Sequence, residues 1–265
     1  MKYNKNSQSY TGLSRDEVYL ISRAEFENKR LLTREFTLKL FKNSRKTDNI
    51  LYNLTKKGRL IQIEKGKYFI VPIKAPNQLW TPNEFVTAKY WMGDTPYYIG
   101  YSTMYNYWGF IEQIPQVIYV LNIRKSQIKV IGNIQYKAVK IIKEKYYGVK
   151  KIKIDGEDVI ISDRERTLVD FVYNPFGSFE NLKNVLKENI KKIDIEKFID
   201  YLIKFPVVSV RKRTGYLLEK LNCPNKLLQK LKKSIGNETT YIVLNPENQS
   251  RKGKINKDWR IIING

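Results

Sequence analysis

The sequence predicts an α+β protein built in two parts, and three observations carry that prediction. A series of helix signals ends at Gly58 and gives way at once to two β-rich runs around a Lys-Gly turn. A proline-bracketed link, PIKAP at residues 72–76, comes after them. Beyond the link, strand and helix patterns alternate to the last residues, with no repeat and no phosphate-binding glycine loop.

The first part, residues 1–76, opens with LSRDEV. Ser14 and Glu17 have capping-box spacing, and Leu13 and Val18 can form the hydrophobic staple outside it. A helix is expected from about Arg15 to Asn28, with Val18, Ile21 and Phe26 facing a core. Leu31 and Leu32 lead to Thr33, a second N-cap candidate, and to a short helix, REFTLKLF. After the turn KNS comes SRKTDNILYNLTKKG, with Ser44 as N-cap and Gly58 as stop. Thr47, Ile50, Leu51 and Leu54 recur at helical spacing and form its inward stripe. Its other side carries Arg45, Lys46, Asn49, Asn53 and Lys56, forked cations and amides that can hydrogen-bond base edges and phosphates. Asp48 fits two roles, complementing the helix dipole or accepting from a cytosine amino group.

Taken alone, that helix could be an ordinary surface element of a Lys-rich protein. The residues after Gly58 decide between the two. RLIQIEKGKYFIV is a hairpin signal whose turn, at Lys65 and Gly66, places Lys65 and Lys67 at the tip. Helix, short helix, tight turn, polar-faced helix and hairpin is the order of a winged helix-turn-helix, with the last helix in the major groove. Residues 1–76 hold 17 basic and 7 acidic residues, a denser positive charge than the rest of the chain.

Composition agrees. The 265 residues are 42% hydrophobic, enough for a real core, yet 49 basic against 26 acidic residues leave a net charge of +23. Such an excess calls for a polyanionic partner, nucleic acid first and an anionic membrane surface second. With no histidine and one cysteine, Cys223, the chain has no internal disulfide, no His- or Cys-clustered zinc site and no His-based general base. No metal or cofactor is expected. A lone cysteine, no apolar signal core in MKYNKNSQSY and no membrane-length apolar run predict a soluble cytoplasmic protein.

The second part, residues 77–265, begins with a helix in TPNEFVTAKYWM, capped by Thr81 with Pro82 in its first turn. PYYIGYSTMYNYWGF is densely aromatic; Ser102 is a cap candidate, and the tyrosines fit a packed core better than a stacking platform for single strands. VIYVLNI, SQIKVIG and IQYKAVKII are strands, and KKIKIDGEDVIIS is a hairpin through Asp155-Gly156. Its acids, Asp155, Glu157 and Asp158, lack calcium-loop or paired-metal spacing. Five helices come next, with Asp163, Asp194 and Ser209 as caps, and TYIVLNP and WRIIING return to strand. Arg211, Lys212 and Arg213 open one helix, an unfavourable place for cations, and Lys226, Lys230, Lys232 and Lys233 add charge downstream. That run is either a solvated face or, for Arg211 and Lys212, a partner or auxiliary phosphate surface.

Three segments also carry a resemblance: YYIGYSTMYNYWGFIEQIPQVIYV, ISDRERTLVDFVYNP and VRKRTGYLLEKL. They are similar to those of the AbiEi-type antitoxins of type IV toxin–antitoxin (abortive infection) systems, and with the N-terminal part the resemblance covers nearly the whole chain. Arg166 and Asp170 fill motif positions in the second segment; Arg213, Gly215 and Glu219 fill those of the third, where Lys212-Arg213-Thr214 departs from a more apolar pattern. The resemblance implies an antitoxin and autoregulatory repressor. Its N-terminal domain would bind operator inverted repeats, with oligomerisation on DNA, and its C-terminal domain would counteract a nucleotidyltransferase toxin without needing a stable complex. Two other readings stay open: a ligand-sensing repressor whose tyrosine-rich segment lines a pocket, and a DNA-tethered metal-dependent nuclease using carboxylates near 155–170. The acids lack a convincing spacing, so the chain is read as a non-enzyme.

Overall fold

A computed structural model describes residues 12–72, 75, 80 and 82–264. The cap expected at Thr81 and the link residue Pro76 lie outside the described residues. The chain is mixed α+β and divides into two compact units, Met1–Trp91 with Val130–Ile134, and Met92–Lys129 with Gln135–Gly265. Among the described residues no helix is long and apolar enough to cross a membrane.

The first unit contains α1 (Arg15–Phe26), β1 (Leu31–Thr33), α2 (Arg34–Phe41), α3 (Ser44–Lys56), β2 (Leu60–Glu64) and β3 (Lys67–Ile70). The capping box forms in full: Glu17 N donates to Ser14 Oγ at 3.3 Å and Ser14 N to Glu17 Oε2 at 2.6 Å. Thr33 caps α2, accepting from Phe36 N. β1, too short to show alternation in sequence, pairs antiparallel with β3, and the sheet order is β1-β3-β2. Leu20, Ile21 and Ala24 of α1 close on Leu32, Ile50, Leu51, Leu54, Leu60 and Ile70.

Two local expectations need correction. The inward stripe of α1 is Glu17, Leu20, Ile21 and Ala24, so Val18 and Phe26 turn outward and are 43% and 79% exposed. Helix α3 begins one residue earlier than expected, because Asn43 is its N-cap and accepts from Lys46 N at 2.9 Å. Ser44 instead accepts from Arg34. Gly58, at φ +68°, does end α3, with Arg59 N donating back to Leu54 O. After the link comes α4 (Glu84–Met92), and the buried Phe69 meets Trp80 and Tyr90 edge-on.

Beyond α4, β4 (Tyr97–Ile99), β5 (Val117–Asn122), β6 (Gln127–Ile131), β7 (Ile134–Lys140), β8 (Val149–Ile154) and β9 (Glu157–Ser162) belong to one mixed sheet, order β6-β7-β5-β4-β9-β8. The hairpin turns through Asp155 and Gly156, both at positive φ, and Asp158 pairs with Lys151. The aromatic segment supplies β4, which the sequence did not reveal, and α5 (Tyr101–Tyr107), whose N-cap is Gly100 rather than Ser102. Tyr97, Tyr98 and Tyr105 are core. Helices α6 (Arg164–Tyr173), α7 (Phe179–Asn189), α8 (Ile195–Lys204), α9 (Val208–Lys220) and α10 (Asn225–Lys233) complete the helical part, with Asp163, Ser178 and Asp194 as side-chain caps. Ser209 is not a cap, since the N-cap of α9 is Val207, with no side-chain bond.

Helix α9 anchors the C-terminal strands β10 (Ile242–Val243), β11 (Lys254–Asn256) and β12 (Ile261–Ile263). The basic run expected on its surface is turned inward. Lys212 is 1% exposed and its ammonium donates to Thr240 O at 2.6 Å. Arg211 donates to Ser234 O, at the carbonyl end of α10, and Arg213 to Val243 O. Backbone carbonyls, not a polyanion, compensate these charges, so Lys212 offers nothing to a partner. Gly215 lies under the ring of Trp259, and Glu219, one turn on, accepts the indole N–H at 3.0 Å.

Replacing glycine by alanine inside a helix ordinarily stabilises by about 0.5–1 kcal/mol. Gly215→Ala should do the reverse, because its Cβ would overlap the Trp259 ring; overpacking of this kind costs roughly 1–3 kcal/mol. Lys212→Glu should be worse still, as it buries a carboxylate against a carbonyl oxygen. Thermal unfolding monitored by circular dichroism checks both, and an unchanged midpoint for either would contradict this packing.

Candidate nucleic-acid interface

Helix α3 divides lengthwise into three zones, and the sequence spacing sets each. Thr47, Ile50, Leu51 and Leu54 are buried against the first-unit core. On one flank Asp48 accepts from Arg34 Nε at 2.7 Å and Nη2 at 2.9 Å, and the same guanidinium holds Ser44 Oγ. Arg34 opens α2, and its backbone N–H bonds Gly66 O in the hairpin turn. One residue thus ties the start of α2, the start of α3 and the β2–β3 turn. The guanidinium beside it holds the Asp48 carboxyl below the usual range. Asp48 thus anchors Arg34 through both of its oxygens.

On the other flank, Lys46 pairs with Asp16 at 2.9 Å and lies over the Phe41 ring. Lys57 pairs with Glu17 at 2.6 Å and also donates to Gly12 O. Burial pushes the Glu17 carboxyl up, but the Lys57 ammonium and the capping bonds outweigh it and leave it lowered. A shallow groove runs between the start of α1 and α3, lined by Asp16, Asn43, Arg45, Lys46, Asn49 and Asn53 among others.

The outward zone is the ridge Arg45, Asn49, Tyr52, Lys56, spaced four, three and four residues apart on one helix face. All four are exposed, as is Asn53 beside them. Among the described residues, Arg45, Asn49, Asn53 and Lys56 make no side-chain hydrogen bond or ion pair. At the hairpin tip Lys65 is exposed, whereas Lys67 is half-buried and 3.9 Å from Glu64. Of the seven cations and amides singled out from sequence, then, five are unengaged on α3 and at the turn, and Lys46 and Lys67 already have acidic neighbours. Sequence reasoning missed Tyr52, which lies on the same ridge by spacing. It also missed the anchors Asp16 and Arg34, whose partners lie 30 and 14 residues away, beyond any local pattern.

The positions carried by the resemblance lie elsewhere, inside the second unit. Arg166 and Asp170 form a buried pair at 2.9 Å in α6, with Tyr98 Oη accepting from Arg166 at 3.0 Å. The guanidinium also faces the Tyr147 ring at 4.5 Å. Burial pushes the Asp170 carboxyl up to about 6 although Arg166 draws it down. Burial likewise raises the hydroxyls of Tyr98, Tyr101, Tyr105 and Tyr147. All of these groups but the half-buried Tyr101 are core.

No protein-family model and no curated protein sequence matches the chain. Among solved structures it is similar to the crystal structure of RV2827C protein from Mycobacterium tuberculosis, with a TM-score of 0.64 at 15% identity. The similarity spans 95% of this chain and 92% of that one, and it is a similarity of fold.

The Glu17 interactions give this surface an acid limit. A carboxyl lowered on folding adds stability above its unfolded value, near 4.5, and loses it as pH falls through the lower folded value. Hydrogen exchange of α1 and α3 amides should therefore accelerate as pH drops below about 4.5, after correction for intrinsic rates. Glu17→Gln should flatten that acid dependence and cost about 1 kcal/mol near neutrality through the cap. Identical pH profiles for the two proteins would remove Glu17 as the cause.

Proposed function

We propose that the first unit is a winged helix-turn-helix that binds double-stranded operator DNA. Helix α3 lies in the major groove, and the β2–β3 hairpin is a wing whose Lys65 and Lys67 approach phosphate. We further propose that the whole chain is an AbiEi-type antitoxin and autoregulatory repressor of a type IV toxin–antitoxin operon. In this reading it is a soluble cytoplasmic protein whose second unit counteracts a nucleotidyltransferase toxin. It needs no cofactor and is not an enzyme.

One observation carries the DNA reading: a ridge of cation, amide, ring and cation on a helix whose flanking charges are already paired. The element order α1-β1-α2-α3-β2-β3 and the net charge of +23 support it. The antitoxin reading rests on the resembling segments. Arg166, Asp170, Gly215 and Glu219 hold the second-unit core together. They account for shared fold rather than a toxin-facing surface.

Fluorescence anisotropy with the chain's own promoter repeat and a scrambled duplex tests the first claim. Arg45→Ala and Asn49→Ala should each weaken promoter binding by about 1–3 kcal/mol, the worth of a bidentate base contact, and affect the scrambled duplex less. Equal loss on both would make these phosphate contacts. Lys65→Ala should weaken both duplexes alike and flatten the salt dependence by about one counterion. Asp16→Asn, which releases Lys46, should strengthen binding to both and steepen that dependence.

A second experiment separates the two roles in the intact chain. The double substitution Arg45→Ala with Asn49→Ala should abolish repression of a reporter yet still protect cells that express the neighbouring toxin gene from an unrelated promoter. Loss of protection along with repression would make DNA binding itself the antidote and leave the second unit without the proposed role.

A further inference from the structure

Tyr52 is 67% exposed and sits on the outward midline of α3, between Asn49 and Lys56. Other exposed aromatics of α1–α3 have neighbours: Tyr19 meets Phe41 edge-on, and Phe26 lies under Arg23. Tyr52, among the described residues, has neither a ring nor a cation against it. An isolated exposed aromatic is ordinary on a surface that stays in water. On a ridge that enters the major groove it is not, because the ring must then exchange its water for something apolar. The apolar group displayed by base edges in that groove is the 5-methyl of thymine.

From these observations we infer that Tyr52 is a specificity-determining residue that contacts a thymine methyl group. The inference rests on the DNA reading of the first unit and deepens it. Arg45 and Asn49, on the same ridge, have the donor geometries suited to guanine and adenine. At a rise of 1.5 Å per residue, Tyr52 lies roughly 10 Å along the axis from Arg45, about three base-pair steps. The ridge therefore reads a short element in which a thymine is separated from a guanine by about that spacing. Removing the thymine methyl alone, by substituting deoxyuridine, should be felt through Tyr52 and no other ridge residue.

The experiment uses the full-length protein. A duplex is selected from a randomised library, each thymine is replaced in turn by deoxyuridine, and affinities are measured for wild type, Tyr52→Phe and Tyr52→Ala. One thymine should stand out, its replacement weakening wild-type binding about four-fold, the worth of one buried methyl group. Tyr52→Phe should keep that sensitivity, and Tyr52→Ala should bind more weakly and lose it. Since Tyr52 lies outside the core, circular dichroism should be unchanged in both variants. Tyr52→Ala binding as wild type does, or retaining the same deoxyuridine sensitivity, overturns the inference while leaving duplex binding intact. So does a Tyr52→Phe loss equal to that of Tyr52→Ala, which would assign the contact to the hydroxyl. Failure of the wild type to bind any duplex overturns this inference and the DNA reading together.

Discussion

Like-charge repulsion is the constraint under which this chain folds. With 49 basic and 26 acidic residues, many cations have no carboxylate to meet, and each must be solvated, paired or compensated by something else. The second unit uses backbone carbonyls and ring faces. Arg211, Lys212 and Arg213 donate to Ser234, Thr240 and Val243, so cations that open one helix compensate carbonyls at the end of another and in the C-terminal segment. Lys145 lies 4.0 Å from the Tyr173 ring centre and Lys150 4.4 Å from that of Trp108. Arg166 combines ring faces with a buried carboxylate and the Tyr98 hydroxyl. The abundance of tyrosine thus has a physical use: rings stabilise positive charge where acids are scarce.

The first unit also uses a ring face and a carbonyl, at Lys46 over Phe41 and from Lys57 to Gly12 O. Its carboxylates sit where they determine which cations stay free. Asp16 and Glu17, in the first turn of α1, complement the helix dipole and reach across to Lys46 and Lys57. Asp48 neutralises Arg34. Surface pairs of this kind contribute little to stability. Their effect here is geometric, because they hold both flanks of α3 and leave Arg45, Asn49, Tyr52 and Lys56 as the side chains free to rearrange around a ligand. A ridge whose neighbours are fixed loses less conformational entropy on binding than one surrounded by mobile charge.

How much of this the sequence made legible depended on the range of the interaction. Local rules worked: the Ser14–Glu17 box, the Thr33 cap, the Gly58 stop and the Asp155-Gly156 turn each depend on a few adjacent residues. Three-residue strands such as β1 and β4 escaped, because alternation cannot be recognised over so short a span and their formation depends on partners 34 or more residues away for β1 and over 20 for β4. The interface was half legible. The spacing of Ile50, Leu51 and Leu54 showed which side of α3 was free, but nothing local told that Lys46 was paired with a residue 30 positions back. The basic run at 211–213 misled for the same reason. A cation without an acid nearby in sequence looked uncompensated, whereas its acceptors were carbonyls 23 to 30 residues downstream.

That distinction separates what the resembling segments can say from what the exposed surface can. Gly215 keeps room for Trp259, Glu219 holds its indole, and Arg166 with Asp170 fixes α6 beside Tyr98. Each is intolerant of change for reasons internal to the core, so a shared pattern at these positions carries fold. The α3 ridge has the opposite character. Its side chains are exposed and stand apart from the inward stripe of Thr47, Ile50, Leu51 and Leu54. Selection for a particular duplex can therefore act on the ridge without disturbing the helix that carries it. Related chains should then keep the buried pattern while differing at positions 45, 49, 52 and 56, each difference corresponding to a different preferred base.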